Sequence, residues 1–127
     1  MSFIPKVLII AGSDSGGGAG IQADIKTTSY FNGYAMTAIT AVTAQNTIGV
    51  QSIYPLPKEI VMEQINSITT DLSPDIVKIG MLADLDIIEY ISKKISNYKI
   101  VLDPVMVATS GDVLVSDEVV SLSLIHI

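Results

Sequence analysis

Val7-Leu8-Ile9-Ile10-Ala11-Gly12-Ser13-Asp14-Ser15-Gly16-Gly17-Gly18-Ala19-Gly20-Ile21 is the stretch that decides the fold. Five apolar residues in succession do not alternate in and out of water, so Val7 to Ala11 reads as a strand covered on both faces. A glycine-rich turn ends it. From Ala19 the spacing changes: Ile21, Ile25 and Thr28 fall on one helical face up to about Phe31, and Asn32-Gly33 supplies a stop by tolerating left-handed backbone. Outward from this unit the alternation repeats. Tyr34 to Thr43, rich in Thr, Ile, Val and Ala, reads as a second buried strand leading into a loop at Gln45-Asn46. Val61, Ile65, Ile68 and Leu72 recur at helical intervals before the breaker Ser73-Pro74. Asp75 to Met81 reads as a third strand, and Asp84 caps a helix whose Leu85, Ile88, Ile91 and Ile95 face inward. Ile100 to Leu102 is a fourth strand, ending at Asp103-Pro104. Strands alternating with helices require crossover connections, so the expected fold is α/β, a mostly parallel sheet with helices on both faces. Ligands of such sheets collect outside the carboxyl ends of the strands. That directs attention to Gly12 to Gly20, Gln45-Asn46, Gly80-Met81 and Asp103 to Gly111.

Composition narrows the chemistry. The 127 residues suit one compact domain, and charged residues make up 16% against 49% hydrophobic, so much of the chain is hidden from water. Seven Lys+Arg against thirteen Asp+Glu give a net charge of −6, the wrong sign for a protein that binds nucleic acid through phosphate neutralisation. With no Cys and a single His, at position 126, the body of the chain offers no disulfide framework, thiolate nucleophile, Cys/His zinc cage or Ser-His-Asp triad. No apolar stretch approaches a membrane span and none resembles a signal-peptide core, so the reading is a cytoplasmic protein that engages no membrane.

Each candidate residue has a functional and a structural reading. The loop Gly12 to Gly20 lets main-chain N–H groups approach a ligand. It is not a P-loop, because no lysine lies between Lys6 and Lys26. A dinucleotide-binding turn wants an acid about twenty residues on, and residues 25 to 58 contain no Asp or Glu. A plain turn remains the alternative. Asp24 is either a solvated carboxylate supporting the helix dipole or a ligand contact. The amides of Gln45-Asn46 offer a donor and an acceptor side by side, matching the edge of an aminopyrimidine, or else form a turn. Lys78 interrupts an apolar run and therefore either reaches the strand rim or belongs to a buried ion pair. Asp103 ends a strand, where an acid holds a divalent cation or forms an ordinary Asp-Pro turn. Thr109-Ser110-Gly111-Asp112 reads as a lid-like loop or a surface turn.

Four segments in this order and spacing closely resemble the hydroxymethylpyrimidine/phosphomethylpyrimidine kinases of thiamine biosynthesis, members of the ribokinase-like group beside the pyridoxal kinases. They are residues 11–24, Thr43-Ala44-Gln45-Asn46-Thr47, Lys78-Ile79-Gly80-Met81-Leu82-Ala83 and Val101-Leu102-Asp103-Pro104-Val105-Met106. The resemblance spans residues 7 to about 120. It implies a ribokinase-like layered fold and phosphorylation, dependent on ATP and magnesium, of 4-amino-5-hydroxymethyl-2-methylpyrimidine. In bifunctional members its monophosphate follows. It also implies that Gly12, Asp24, Gln45, Met81 and Val105 line the pyrimidine pocket, with Asp103 facing the metal and phosphates. The family's anion hole and hydroxyl-activating residue lie in a C-terminal half with no counterpart here, so no catalytic residue is expected in this chain. The expected organisation is residues 1–120 as the N-terminal part of a single kinase domain, truncated after its fourth strand, with residues 121–127 a non-native tail. A homodimer is one arrangement open to the complete protein. A pyridoxal kinase-like enzyme and a non-catalytic binding module are the competing readings.

Overall fold

Strand β1 (Lys6–Ala11) lies inside a four-stranded sheet, in a computed structural model that describes residues 2–119 and 121. The expected non-native tail falls, except for Ser121, outside the described residues. The remaining elements are α1 (Gly20–Tyr30), β2 (Tyr34–Ile39), β3 (Ala41–Gln45), β4 (Val50–Pro55), α2 (Lys58–Asp71), β5 (Ile76–Ile79), α3 (Leu85–Lys94) and β6 (Lys99–Leu102). The main sheet runs β2-β1-β5-β6 and every pair in it is parallel.

The continuous apolar run of β1 is explained by what covers it. Leu8 and Ile10 point to one face and join Val61 and Ile65 of α2 and Ile87, Ile88 and Ile91 of α3 in the larger core. Ile9 and Ala11 point the other way and meet Ile21 and Ile25 of α1. The chain moves one way along the sheet from β1 to β2 and the other way from β5 to β6. Right-handed crossovers in opposite directions place their helices on opposite faces, which is how α1 and α3 come to be separated.

The helix boundaries follow their local signals. Asn32, just beyond α1, has φ of 60°, the left-handed geometry its sequence position suggested. Asp84 caps α3, its Oδ1 accepting from Asp86 N at 2.8 Å and Ile87 N at 3.3 Å. Ser116 Oγ accepts from Val119 N at 3.4 Å, and residues 117–119 take up helical geometry.

One expectation is corrected. Tyr34 to Thr43 is not a single strand: the ladder with β1 ends at Ile39, and Thr40 redirects the chain. Thr40 N donates to Ala11 O, its carbonyl accepts from Leu56 N, and its buried hydroxyl donates to Met81 O at 2.7 Å. Ala41 to Gln45 then pairs antiparallel with β4, a strand for which the sequence reading had no element. β4 escapes a periodicity search because it is largely exposed and bounded by proline, leaving only Val50 and Ile53 as partly buried apolar residues. Among the described residues no helix is long and apolar enough to cross a membrane.

Truncating Leu8 to Ala should cost roughly 2–5 kcal/mol in urea unfolding, because it empties the centre of the larger core. Asp84→Ala, which removes only a cap, should cost about 1 kcal/mol.

Candidate functional site

The strand order reverses between β1 and β5, so the connections leaving these neighbours diverge and leave a crevice at their carboxyl ends. A cleft of about 540 Å³ opens there, a size suited to a small ligand. Its lining includes Gly12, Asp24, Gln45, Met81, Asp103 and Val105, brought from five separate segments of the chain.

The glycine-rich loop forms the near wall. Its main-chain N–H groups do not stand ready for a ligand phosphate, as glycine content alone suggested. They converge on Asp14, whose Oδ1 accepts from Gly16 N at 2.7 Å and whose Oδ2 accepts from Ala19 N at 2.8 Å and Gly18 N at 3.0 Å. Asp14 is only 6% exposed, so an internal carboxylate occupies the positive end of α1. Sequence reading did not single it out, although an acid two residues before the first of several glycines is an Asx-turn signal. Ser13 N donates to Ala41 O, Thr43 Oγ1 donates to Ser13 O at 2.7 Å, and Gln22 Oε1 accepts from Asp14 N at 2.7 Å. The loop is thus strapped to both β3 and α1.

Two glycines are required by close approach. Gly20 has φ of 56°, and a Cβ there would stand 2.3 Å from Gly12 O, the acceptor for Ile21 N. A Cβ on Gly12 would stand 2.5 Å from the Met81 methyl, so the two residues together shape the apolar wall of the cleft.

The β3–β4 hairpin brings in Gln45. Ser15 Oγ donates to Gln45 O at 2.6 Å and accepts from Gln45 N at 2.7 Å, pinning its main chain where the strand register shifts. Its Oε1 lies 3.3 Å from Thr43 Oγ1, whose proton goes to Ser13 O, and no protein partner engages its Nε2 among the described residues. Asn46 differs. Its Oδ1 accepts from Ile48 N and Gly49 N, so that side chain builds the hairpin turn. Both adjacent amides line the cleft, and neither amide nitrogen has a protein partner among the described residues; they differ at the oxygen, which in Asn46 is held by Ile48 N, Gly49 N and Gln51 Nε2.

At the floor, Lys78 of β5 donates to Asp24 Oδ2 of α1 at 2.6 Å, with side-chain exposures of 19% and 23%. Both readings of Lys78 hold: it pairs with Asp24, and it lines the cleft. Asp103 follows β6, its N–H bonded to Ile79 O and its carboxylate exposed at the cleft edge without a hydrogen bond among the described residues. No three acidic or His side chains gather as a metal cage among the described residues. Opposite, Val107 pairs with Val113 across a tight turn in which Gly111 N donates to Ala108 O. Asp112 Oδ2 accepts from Ser110 Oγ at 2.5 Å and from Val50 N at 3.0 Å, so residues 109–112 form a turn latched to the hairpin. The Ser110 hydroxyl first, and the Val50 N–H second, hold the Asp112 carboxyl below its ordinary value.

A doubly wound parallel sheet with a small-molecule cleft at its switch point defines a class of ligand-binding α/β proteins. Comparison with known proteins narrows it. The family model described as phosphomethylpyrimidine kinase matches residues 14–126. The chain is 53% identical over 121 residues to the hydroxymethylpyrimidine/phosphomethylpyrimidine kinase of Bacillus subtilis, covering 93% of this chain and 45% of that protein. The crystal structure of phosphomethylpyrimidine kinase from Clostridium difficile superimposes with a TM-score of 0.82 at 45% identity, over 94% of this chain and 53% of that one. A pyridoxal kinase from Staphylococcus aureus gives 0.84 at 32% identity, over 99% of this chain and 46% of that one. This chain belongs to the phosphomethylpyrimidine kinase family, within the ribokinase-like fold. It spans about half the length of the curated relatives it matches.

Gly12→Ala should cost about 1–3 kcal/mol in denaturant unfolding by displacing the Met81 methyl, and Met81→Ala in the same chain should recover part of it. Gly20→Ala should cost more, because the obstructing atom is backbone. The Asp112 latch depends on pH in a fixed direction. A carboxyl whose pKa is lowered by folding stabilises above its unfolded pKa and loses that contribution as pH falls through the folded value. The protection of the Val50 amide, its exchange relative to an unstructured amide at the same pH, should therefore hold through mildly acidic pH and fall below the usual carboxylate range, and Asp112→Ala should lower it at neutral pH.

Proposed function

We propose that this chain forms the pyrimidine-binding part of a kinase that transfers a phosphoryl group from ATP to the primary hydroxyl of 4-amino-5-hydroxymethyl-2-methylpyrimidine, and then to the monophosphate, in thiamine biosynthesis. Residues 1–120 would be the N-terminal part of one ribokinase-like domain. The observation that carries this reading is the cleft at the β1/β5 switch point lined by Gly12, Asp24, Gln45, Met81, Val105 and Asp103. A flat heteroaromatic ring wants apolar atoms for its faces and a few fixed polar atoms for its edge. Met81, Val105 and the bare backbone of Gly12 supply the faces. Gln45 Nε2 supplies a donor for a ring nitrogen, and Asp24 supplies an acceptor for the amino group. Asp103 suits a magnesium ion, because its carboxylate is a hard oxygen donor exposed at the cleft. When bound, the ion neutralises charge on the phosphates. The donors that cradle the transferring group, and the residue that takes the hydroxyl proton, are assigned to the further half that the relatives possess.

A second reading, phosphorylation of pyridoxal, is favoured by the close superposition on the Staphylococcus aureus pyridoxal kinase. Calorimetric titration of the 127-residue chain separates the two. The aminopyrimidine alcohol should bind, pyridoxal should compete about tenfold less well, and Gln45→Leu should weaken the aminopyrimidine about tenfold. Turnover by the chain alone should lie ~100-fold or more below that of a full-length relative, the loss that accompanies even one missing transition-state donor. Stronger binding of pyridoxal, or indifference to Gln45→Leu, would overturn the aminopyrimidine assignment.

A further inference from the structure

The geometry points to Lys78 as a positioning residue that turns Asp24 into the cleft and thereby sets the preference for a ring bearing an amino group. This inference rests on the aminopyrimidine reading and deepens it.

Lys78 is placed where lysine is costly. It lies between the fully buried Val77 and Ile79, and its sheet neighbours are Ile9 of β1, also fully buried, and Val101 of β6. Successive strand residues face opposite sides, so Val77 and Ile79 turn to the larger core while Lys78 shares the α1 side with Ile9. Its ammonium reaches the cleft because the next position on that face is Gly80, where a Cβ would stand 3.3 Å from Nζ and 2.9 Å from the Ala11 side chain. The ammonium ends 2.6 Å from Asp24 Oδ2.

The pair is only half spent. Among the described residues Lys78 Nζ engages no acceptor besides Asp24 Oδ2, and Asp24 Oδ1 accepts from no protein donor. Both residues line the cleft. Asp24 is carried by α1, and among the described residues only Lys78 constrains its carboxylate. A constrained carboxylate presents its second oxygen in one direction, which suits an amino group that donates from one edge of a ring. Without Lys78 the carboxylate would sample several rotamers, and the acceptor would lose its bearing.

A mere staple between α1 and β5 would affect stability and all ligands alike, so the test reads selectivity. The 127-residue chain is titrated with 4-amino-5-hydroxymethyl-2-methylpyrimidine and with the same alcohol lacking the amino group. Wild type should prefer the amino compound by about tenfold, the value of a hydrogen bond to a charged group. Lys78→Met should abolish that preference by weakening the amino compound while leaving the des-amino compound within about twofold, and Lys78→Arg should restore most of it. Should Lys78→Met not fold, Asp24→Asn serves: it keeps the side-chain shape, and it should show the same selective loss. A folded Lys78→Met that keeps the wild-type preference, or that weakens both compounds equally, overturns the role of Lys78 and leaves the functional reading standing; the same result for Asp24→Asn overturns the role of Lys78 together with the contact assigned to Asp24. A wild-type chain that binds neither alcohol overturns that reading, and this inference with it.

Discussion

Strand β1 is covered on both faces, and the position of the cleft depends on that double burial. Leu8 and Ile10 need α2 and α3 above them, while Ile9 and Ala11 need α1 below. A strand so covered sits inside the sheet with a neighbour on each edge, β2 on one side and β5 on the other. Because chain order runs away from β1 in one direction and away from β5 in the other, the connections above these two strands part. The crevice above Gly12 and Gly80-Met81 is a consequence of covering apolar surface, and the site occupies it.

Polar groups around the gap are held by bonds that join distant parts of the chain. Asp14 fills the nest of N–H groups that the glycine-rich loop creates, so the anionic end of the loop is built in. The result is a cleft whose loop side holds its own carboxylate, whose floor carries the Lys78–Asp24 pair, and whose outer edge carries the exposed carboxylate of Asp103. Thr40 and Ser15 perform the quieter work. One locks the carbonyl of Met81 and the other locks the main chain of Gln45, so that side chains from β5 and from the hairpin meet across the cleft.

Most of this fold was legible from local pattern. Val7 to Ala11, the α1 face, the Asp84 cap and the stop at Asn32 each rest on interactions within a few residues, and composition alone reports such interactions. The β3–β4 hairpin was not legible, because β4 is neither buried nor alternating and is held by pairing with Ala41 to Gln45. The role of Asp14 and the engagement of the Asn46 oxygen within the turn were hidden for a related reason. An acid or an amide in a turn has the same appearance whether it faces water, a ligand or the neighbouring backbone.

By itself, the amino-acid sequence determined the class of fold, the ends of the strands where a ligand would sit, and a family resemblance carried by four spaced motifs. Those features are encoded by hydrophobic period, turn chemistry and residue identity at fixed spacing, all of which are local. Only the tertiary structure decided that Gly12 and Met81 touch, that Lys78 pairs with Asp24 across 54 positions, and that Asp112 reaches back to Val50. These contacts depend on which strands become neighbours, and that is settled by the packing of whole faces against one another.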